Sequence, residues 1–199
     1  MNTTSLSGKV ILISGAGRGA GRLLALELAA RGASIAANDI SPVNLDPVVE
    51  QIRACGGQAQ TYIHDIAKKV DVQVMVNRVS DDLGKIDILI NCANVQLSSP
   101  LLEIDEWDLH RVFEVNAIGS LLMMQSVGRV MRTQGHGTII NVVKIPADAP
   151  FSYIGSRAGL ISMNDRLNRE LEGFGVRVLA VTEADPVPGV LAGCLDSEN

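Results

Sequence analysis

Glycine recurs at every second position in Gly15-Ala16-Gly17-Arg18-Gly19-Ala20-Gly21, directly after Val10-Ile11-Leu12-Ile13-Ser14 and directly before Arg22 to Ala30, a stretch rich in Leu and Ala. A strand that breaks into such a turn and then into a helix presents unpaired backbone N–H groups and the positive end of the helix dipole, about half a charge. That arrangement seats a phosphate. Glycine suits it because a side chain would hold the backbone away from a pyrophosphate and keep helix and strand apart. Gly15, Gly17 and Ala20 fit the pattern GxGxxG/A. Asp39 stands eighteen positions past Gly21, at the end of the next apolar stretch. An acid at that place, about 20 residues beyond the glycines, accepts hydrogen bonds from the adenosine ribose hydroxyls and repels a 2′-phosphate, which favours NAD over NADP. Arg18 pulls the other way, since a guanidinium by the turn can pair with a 2′-phosphate, but its flanking Gly17 and Gly19 aim it at the pyrophosphate side. The plain alternatives are a glycine turn without a ligand and an ordinary turn acid.

These residues need elements to hold them. Ala33 to Asn38 reads as a second strand, after a C-terminal cap at Arg31 and Gly32. Ser41 and Pro42 open a helical stretch that Pro47 interrupts and Gly56-Gly57 ends, which predicts a short or kinked element. Gln58 to Ile63 alternates as a strand. Val72, Met75, Val76, Val79 and Leu83 recur at helical spacing, and Gly84 closes that helix. Ile86 to Ile90 is a fourth strand; Asp105 is the expected N-cap of a long helix through Met131; Thr138 to Val143 is a fifth strand. A helix from Tyr153 to Glu172 follows, then a sixth strand over Val176 to Val181. Strands alternating with helices six times imply an α/β fold, a doubly wound parallel sheet of about six strands with helices on both faces, whose ligand crevice lies at the carboxyl ends of the strands.

The chain has 199 residues, 47% hydrophobic and 20% charged, enough for a single well-buried domain over residues 1–199. With a net charge of −5 and no basic block, nothing in it suits nucleic acid or an anionic membrane. The start, Met1 to Gly8, is polar and lacks a signal-peptide core, and no apolar run approaches the roughly 20 residues that span a bilayer. A cytoplasmic protein is the expectation. Cys55, Cys92 and Cys194 have no metal or CxxC spacing, so they read as reduced thiols serving as small hydrophobes. His64, His110 and His136 lack ligand or triad spacing and are expected on the surface, and no metal site is expected. Aromatic residues make up only 3%, which calls for an aliphatic core with Trp107 packed against it.

Several of these segments together resemble the short-chain dehydrogenase/reductase family and its Rossmann-type fold. Ser14-Gly15 with Gly19 and Gly21 resembles that family's TGxxxGxG; either register puts the phosphates on the same turn, with Arg18 beside them. Asp65-Ile66 matches the Asp-aliphatic pair that contacts adenine in the family. Asn91-Cys92-Ala93-Asn94 looks like the family's NNAG, which stabilises the central sheet and lets the cofactor's ribose lie on backbone. Cys92 loses a side-chain hydrogen bond there, and Asn94 adds bulk at a position where Asn tolerates left-handed backbone. Val115-Asn116-Ala117-Ile118-Gly119 resembles the family's helix kink, in which Asn116 would hold a water for proton relay.

The resemblance implies hydride transfer between a nicotinamide and a small carbonyl or alcohol, with a tyrosine moving the proton, a serine bonding the substrate oxygen and a lysine lowering the tyrosine's pKa. Tyr153 begins YxxxR here, not YxxxK. The spacing puts Arg157 on the face of Tyr153; a guanidinium stabilises a phenolate but lacks lysine's compact ammonium and its ability to give up a proton. Family members end strand five with Asn-aliphatic-Ser-Ser, whereas Asn141-Val142 is followed by Val143-Lys144 and by a shorter stretch to Tyr153. Lys144 thus stands where the serine belongs. It either supplies a cationic hydrogen bond to the substrate oxygen or is a solvated lysine on a loop rebuilt with Pro146 and Pro150; Ser152 and Ser156 are also near. Thr182-Glu183-Ala184-Asp185 replaces the Pro-Gly turn, and the substrate lid and seventh strand of typical members are expected to be absent or supplied by a neighbour. These departures leave a second reading, a catalytically silent nucleotide-binding or regulatory member, and a third, a fragment that keeps the fold. Ile154, Ala158 and Ile161 make one apolar stripe on the sixth helix, and Leu160, Leu167 and Leu171 another. One covers the sheet. The other predicts a homodimer or homotetramer packed through the 105–131 and 153–172 helices.

Overall fold

The computed structural model describes residues 5–183 and 185–195. Ala184 of the substituted tail and the first four residues of the polar start lie outside them.

Strand β1 (Val10–Ser14) is buried along its whole length, and its consecutive apolar residues are explained by the layers on either side. Ile11 and Ile13 point into one core, while Leu12 points into another. A parallel strand covered on both faces has no polar side to show. After β1 come α1 (Gly19–Ala30), β2 (Ser34–Asp39), α2 (Pro42–Ala54), β3 (Gln58–Ile63), α3 (Lys69–Leu83) and β4 (Ile88–Asn91). Then follow α4 (Glu106–Phe113), a π-helical turn (Glu114–Gly119), α5 (Ser120–Gln134), β5 (Gly137–Val142), α6 (Phe151–Leu171), β6 (Val176–Val181) and α7 (Pro186–Leu195). The strand order is β3-β2-β1-β4-β5-β6, every pair parallel. The winding reverses between β1 and β4, so their carboxyl ends open a crevice that no crossover covers.

One core packs α1, α2 and α7 on the sheet through Leu24, Leu28, Val48, Ile52, Val190 and Cys194. The other packs α3, α5 and α6 through Val72, Met75, Val79, Met123, Val127 and Leu160. Both are aliphatic but for Tyr62 in the second, as the low aromatic content requires. Caps fall where the residue types place them: the Asp105 carboxylate accepts from the Trp107 N–H at 2.7 Å, and Gly84 ends α3 in the left-handed region.

Two expectations are corrected. Pro47 does not interrupt α2, which runs unbroken past it. The residue whose carbonyl loses its partner there, Val43, is 81% exposed, so water satisfies what the proline cannot. Trp107 does not pack; it is 68% exposed on α4. The segment after β6 forms α7, whose Pro186 and Pro188 sit in the first turn, where backbone N–H groups have no helical partner in any case.

Candidate functional site

At the carboxyl end of the sheet lies a cleft of about 420 Å³. Its lining includes Gly15, Arg18, Gly19 and Gly21 of the turn, Asn38 and Asp39 of β2, His64 to Ile66 after β3, Cys92 to Gln96 after β4, and Arg111 and Val115. The glycine turn is tight for stated reasons. Gly15 has φ +69°, and a Cβ on it would come within 2.6 Å of the Ala93 Cα; β1 and β4 meet at the floor only because that side chain is missing. At Gly21 an added carbon would run into the Gly15 carbonyl. Gly19, by contrast, has nothing within 4 Å of its Cβ position, so the turn is open there. No side chain caps α1, and its first-turn N–H groups are left for a ligand.

Asp39 is nine-tenths buried and holds the turn itself: its Oδ2 accepts from the Gly17 N–H at 3.1 Å and its Oδ1 from the Ser41 N–H at 3.0 Å. Arg18 is exposed at the rim. Asn38, which the sequence reading passed over, ties the ends of β2 and β3 together by donating to the carbonyls of Tyr62 at 2.9 Å and His64 at 3.1 Å. A polar side chain inside a strand of small apolar residues was the signal for it. His64 lines the cleft and is not a surface bystander. Asp65 lines it too, engaged by Arg111 of α4 at 3.2 Å, and Ile66 is buried beside it.

Other expected residues support the cleft from behind. Ser14 is fully buried, its hydroxyl accepting from the Ala93 N–H at 3.4 Å. Asn91 joins β4 to β5 by donating to Asn141 Oδ1 at 2.9 Å. Neither side chain is among the described residues lining the cleft, whereas Ala93 is. Asn94 does not take left-handed backbone, since no described non-glycine residue has positive φ; its amide instead donates to the Cys92 carbonyl at 2.9 Å.

The π-turn at 114–119 is the expected helix kink, and the amide of Asn116 is fully committed by it. Its Oδ1 accepts from the Val95 N–H at 2.8 Å, while its Nδ2 donates to the Val95 carbonyl at 2.9 Å and to Ser156 Oγ at 3.1 Å. It pins the segment after β4 as a neighbouring strand would. Arg157 Nη1 donates directly to the Asn116 carbonyl at 3.4 Å, and Nη2 to the Val142 carbonyl. Arg157 is fully buried, and no carboxylate pairs with it among the described residues. Burial pulls its pKa down, while Tyr153 and Cys92 oppose that. Burial also pushes the Cys92 thiol up to about 12, against the pull of Arg157. Tyr153 is nearly buried, and its hydroxyl donates to the Lys144 carbonyl at 3.1 Å. The Lys144 side chain is exposed. Tyr153, Asn116, Arg157 and Lys144 therefore gather beyond the Cys92–Val95 wall of the cleft, next to its lining and outside it.

Comparison with known proteins gives this geometry a context. A family model described as short chain dehydrogenase matches residues 9–187. A 3-oxoacyl-(acyl-carrier-protein) reductase of Thermotoga maritima is 33% identical over 180 residues, covering 88% of this chain and 73% of that protein. Among solved structures, an NAD+-bound xylitol dehydrogenase superposes with a TM-score of 0.84 at 30% identity, covering 88% of this chain and 70% of that one. A gluconate 5-dehydrogenase of Burkholderia cenocepacia, in complex with NADP and tartrate, superposes with a TM-score of 0.83 at 28% identity over 91% and 72%.

Proposed function

The chain belongs to the short-chain dehydrogenase/reductase family of oxidoreductases, and from that premise we propose that it binds NAD in preference to NADP and exchanges hydride with the carbonyl or alcohol carbon of a small molecule. The observation that carries the choice of cofactor is the Asp39 carboxylate in the cleft, beside the open turn at Gly19. A 2′-phosphate brought to it would face a buried like charge, which disfavours NADP. The neighbouring structures include both an NAD and an NADP complex, so the preference rests on this chain's own acid.

The residues fit the dinucleotide. The N–H groups at the start of α1, with Arg18 at the rim, hold the diphosphate; Asp39 accepts from the ribose; Ala93 offers backbone to the second ribose. NAD supplies the hydride acceptor or donor when bound. Tyr153 is the group to pass a proton to or from the substrate oxygen, for which its hydroxyl must leave the Lys144 carbonyl. Arg157 keeps positive charge near it and, tied to the carbonyls of Asn116 and Val142, fixes the start of α6 on the end of β5. Lys144, on the surface in the ligand-free chain, is the one cation on that loop able to swing toward a substrate oxygen. The same proposal has the chain working in the cytoplasm as one domain, in a homodimer or homotetramer joined through α4–α5 and α6, where Phe113, Ile154 and Ile161 are exposed.

The test is hydride transfer by the whole chain, followed as the change in nicotinamide absorbance with NADH across a panel of small ketones and aldehydes. Consumption of NADH that stops on removing the carbonyl is expected; binding of NADH with no turnover on any member of the panel would overturn the catalytic part of the reading.

A further inference from the structure

The sheet ends at β6, with no strand beyond it among the described residues. Two bonds at the ends of its pairing with β5 set its phase: the Gly137 N–H donates to the Gly175 carbonyl at 3.1 Å, and the Val143 N–H to the Val181 carbonyl at 2.8 Å. Odd-numbered residues of β6 therefore turn their N–H and C=O groups to β5, and Val176, Val178 and Ala180 turn theirs outward. Such a row of open groups is a template for another strand. The segment suits pairing, since Val176, Val178 and Val181 are β-branched. Its one charge does not guard the edge, because the Arg177 guanidinium donates to the Gly193 carbonyl of α7 at 3.3 Å.

Two side chains of α6 stand where that strand would lie. The Val178 N–H donates to Asn168 Oδ1 at 2.8 Å, and Asn164 Nδ2 donates to the Val178 carbonyl at 3.3 Å. Both groups of one edge residue are thus satisfied by amides, as a pairing strand would satisfy them. Asn164 is held firmly: it is 9% exposed, its Oδ1 accepts from Asn141 Nδ2 at 3.4 Å, and Asn141 Oδ1 accepts from Asn91. A chain of buried amides therefore anchors the cap to β5 and β4. Val178 is also the midpoint of the three outward residues. When two copies pair antiparallel about a dyad, Val178 meets its own counterpart and Val176 meets the counterpart of Ala180, each pair exchanging two hydrogen bonds. Any register that uses all three outward residues has to displace the two asparagines.

We infer that Asn164 and Asn168 close the free edge of the sheet and keep two copies of this chain from joining their sheets through β6. The experiment compares the full chain with Asn168→Leu, which keeps the bulk and removes the acceptor, and with Asn168→Asp, which keeps an acceptor. In the wild-type chain the Val178 amide is expected to exchange with deuterated solvent about tenfold more slowly than that of Ala180, the worth of one hydrogen bond. In Asn168→Leu that protection is expected to disappear in dilute solution. It should return, together with protection of Ala180, as the concentration rises and sedimentation shows twice the wild-type mass, whatever assembly the helices α4 to α6 make. Asn168→Asp is expected to keep the wild-type mass and protection. A purely internal role, fastening α6 to β6, would lower the stability of Asn168→Leu and leave its mass at the wild-type value at every concentration, and that result overturns the proposal. A wild-type Val178 amide that exchanges as fast as that of Ala180 overturns it without recourse to any variant.

Discussion

The Tyr153 hydroxyl donates to the main-chain carbonyl of Lys144 at 3.1 Å, so the group proposed to move the proton is engaged by the loop that leads into its own helix. A substrate oxygen has to displace that carbonyl. Tyr153→Phe removes one neutral hydrogen bond, worth about 1 kcal/mol of stability, and touches no residue of the cleft lining. Turnover is expected to drop about 10²- to 10⁴-fold, with the NADH dissociation constant kept within about twofold. Steady-state kinetics beside a fluorescence titration check both, and turnover surviving the change removes Tyr153 from proton transfer.

Asp39 answers for cofactor choice and for the shape of the turn together, because its two oxygens hold Gly17 and Ser41. Asp39→Asn keeps one acceptor and removes the charge. The ratio of NADPH to NADH affinity is expected to rise about tenfold, a like-charge penalty of roughly 1.4 kcal/mol relieved. An unchanged ratio would place the 2′-phosphate away from this carboxylate.

Burial pushes the thiols of Cys92 and Cys194 up from 9.0 to about 12. The folded chain therefore holds these protons more tightly than the unfolded one. The stability this brings is fully present below the unfolded value and is lost as pH rises from there toward the folded value. Each thiol adds a slope of about 1.4 kcal/mol per pH unit in that window. Urea unfolding followed from about pH 8 to about pH 10 is expected to show the decline, and Cys92→Ala to remove about half of its slope. Exposed Cys55 should be the one thiol of the three that a bulky reagent labels without denaturant.

Ile154 and Ile161 lie 39% and 38% exposed on α6, with Phe113 and Phe151 near the same face, while Leu160 of the other stripe is buried on the sheet. Light scattering at micromolar concentration is expected to give a multiple of the chain mass, and the double change Ile154→Glu, Ile161→Glu to give a single chain with its fold retained. A wild-type monomer contradicts the shared-helix assembly.

The sheet and its turn were readable because each depends on local pattern. Val10 to Ile13 reads as a buried strand and Gly15 to Gly21 as a turn into a helix, while the kink that became a π-turn at Asn116 came from the family resemblance. What escaped depends on residues far apart or on tertiary burial. Arg111 meets Asp65 across 46 positions, a pairing no local window contains. The start of α7 is masked by two prolines that a first helical turn tolerates, and its stability comes from Val190 and Cys194 packed against the sheet. The Asn116 amide meets Val95 and Ser156 and its carbonyl a buried arginine, partners 21 to 41 positions away. Arg157 reaches the carbonyls of Asn116 and Val142 from inside the core, a use of its length and planar fork that sequence spacing alone does not convey.

A diphosphate held at the start of α1 with a ribose at Asp39 is the central requirement of the proposed function. Paired titrations of the whole chain with NADH and NADPH, read by nicotinamide fluorescence, test it most directly. Saturable NADH binding at micromolar concentration, about tenfold or more tighter than NADPH, is the expected result. Tighter NADPH binding would contradict the role given to Asp39, and no binding of either would contradict the site itself.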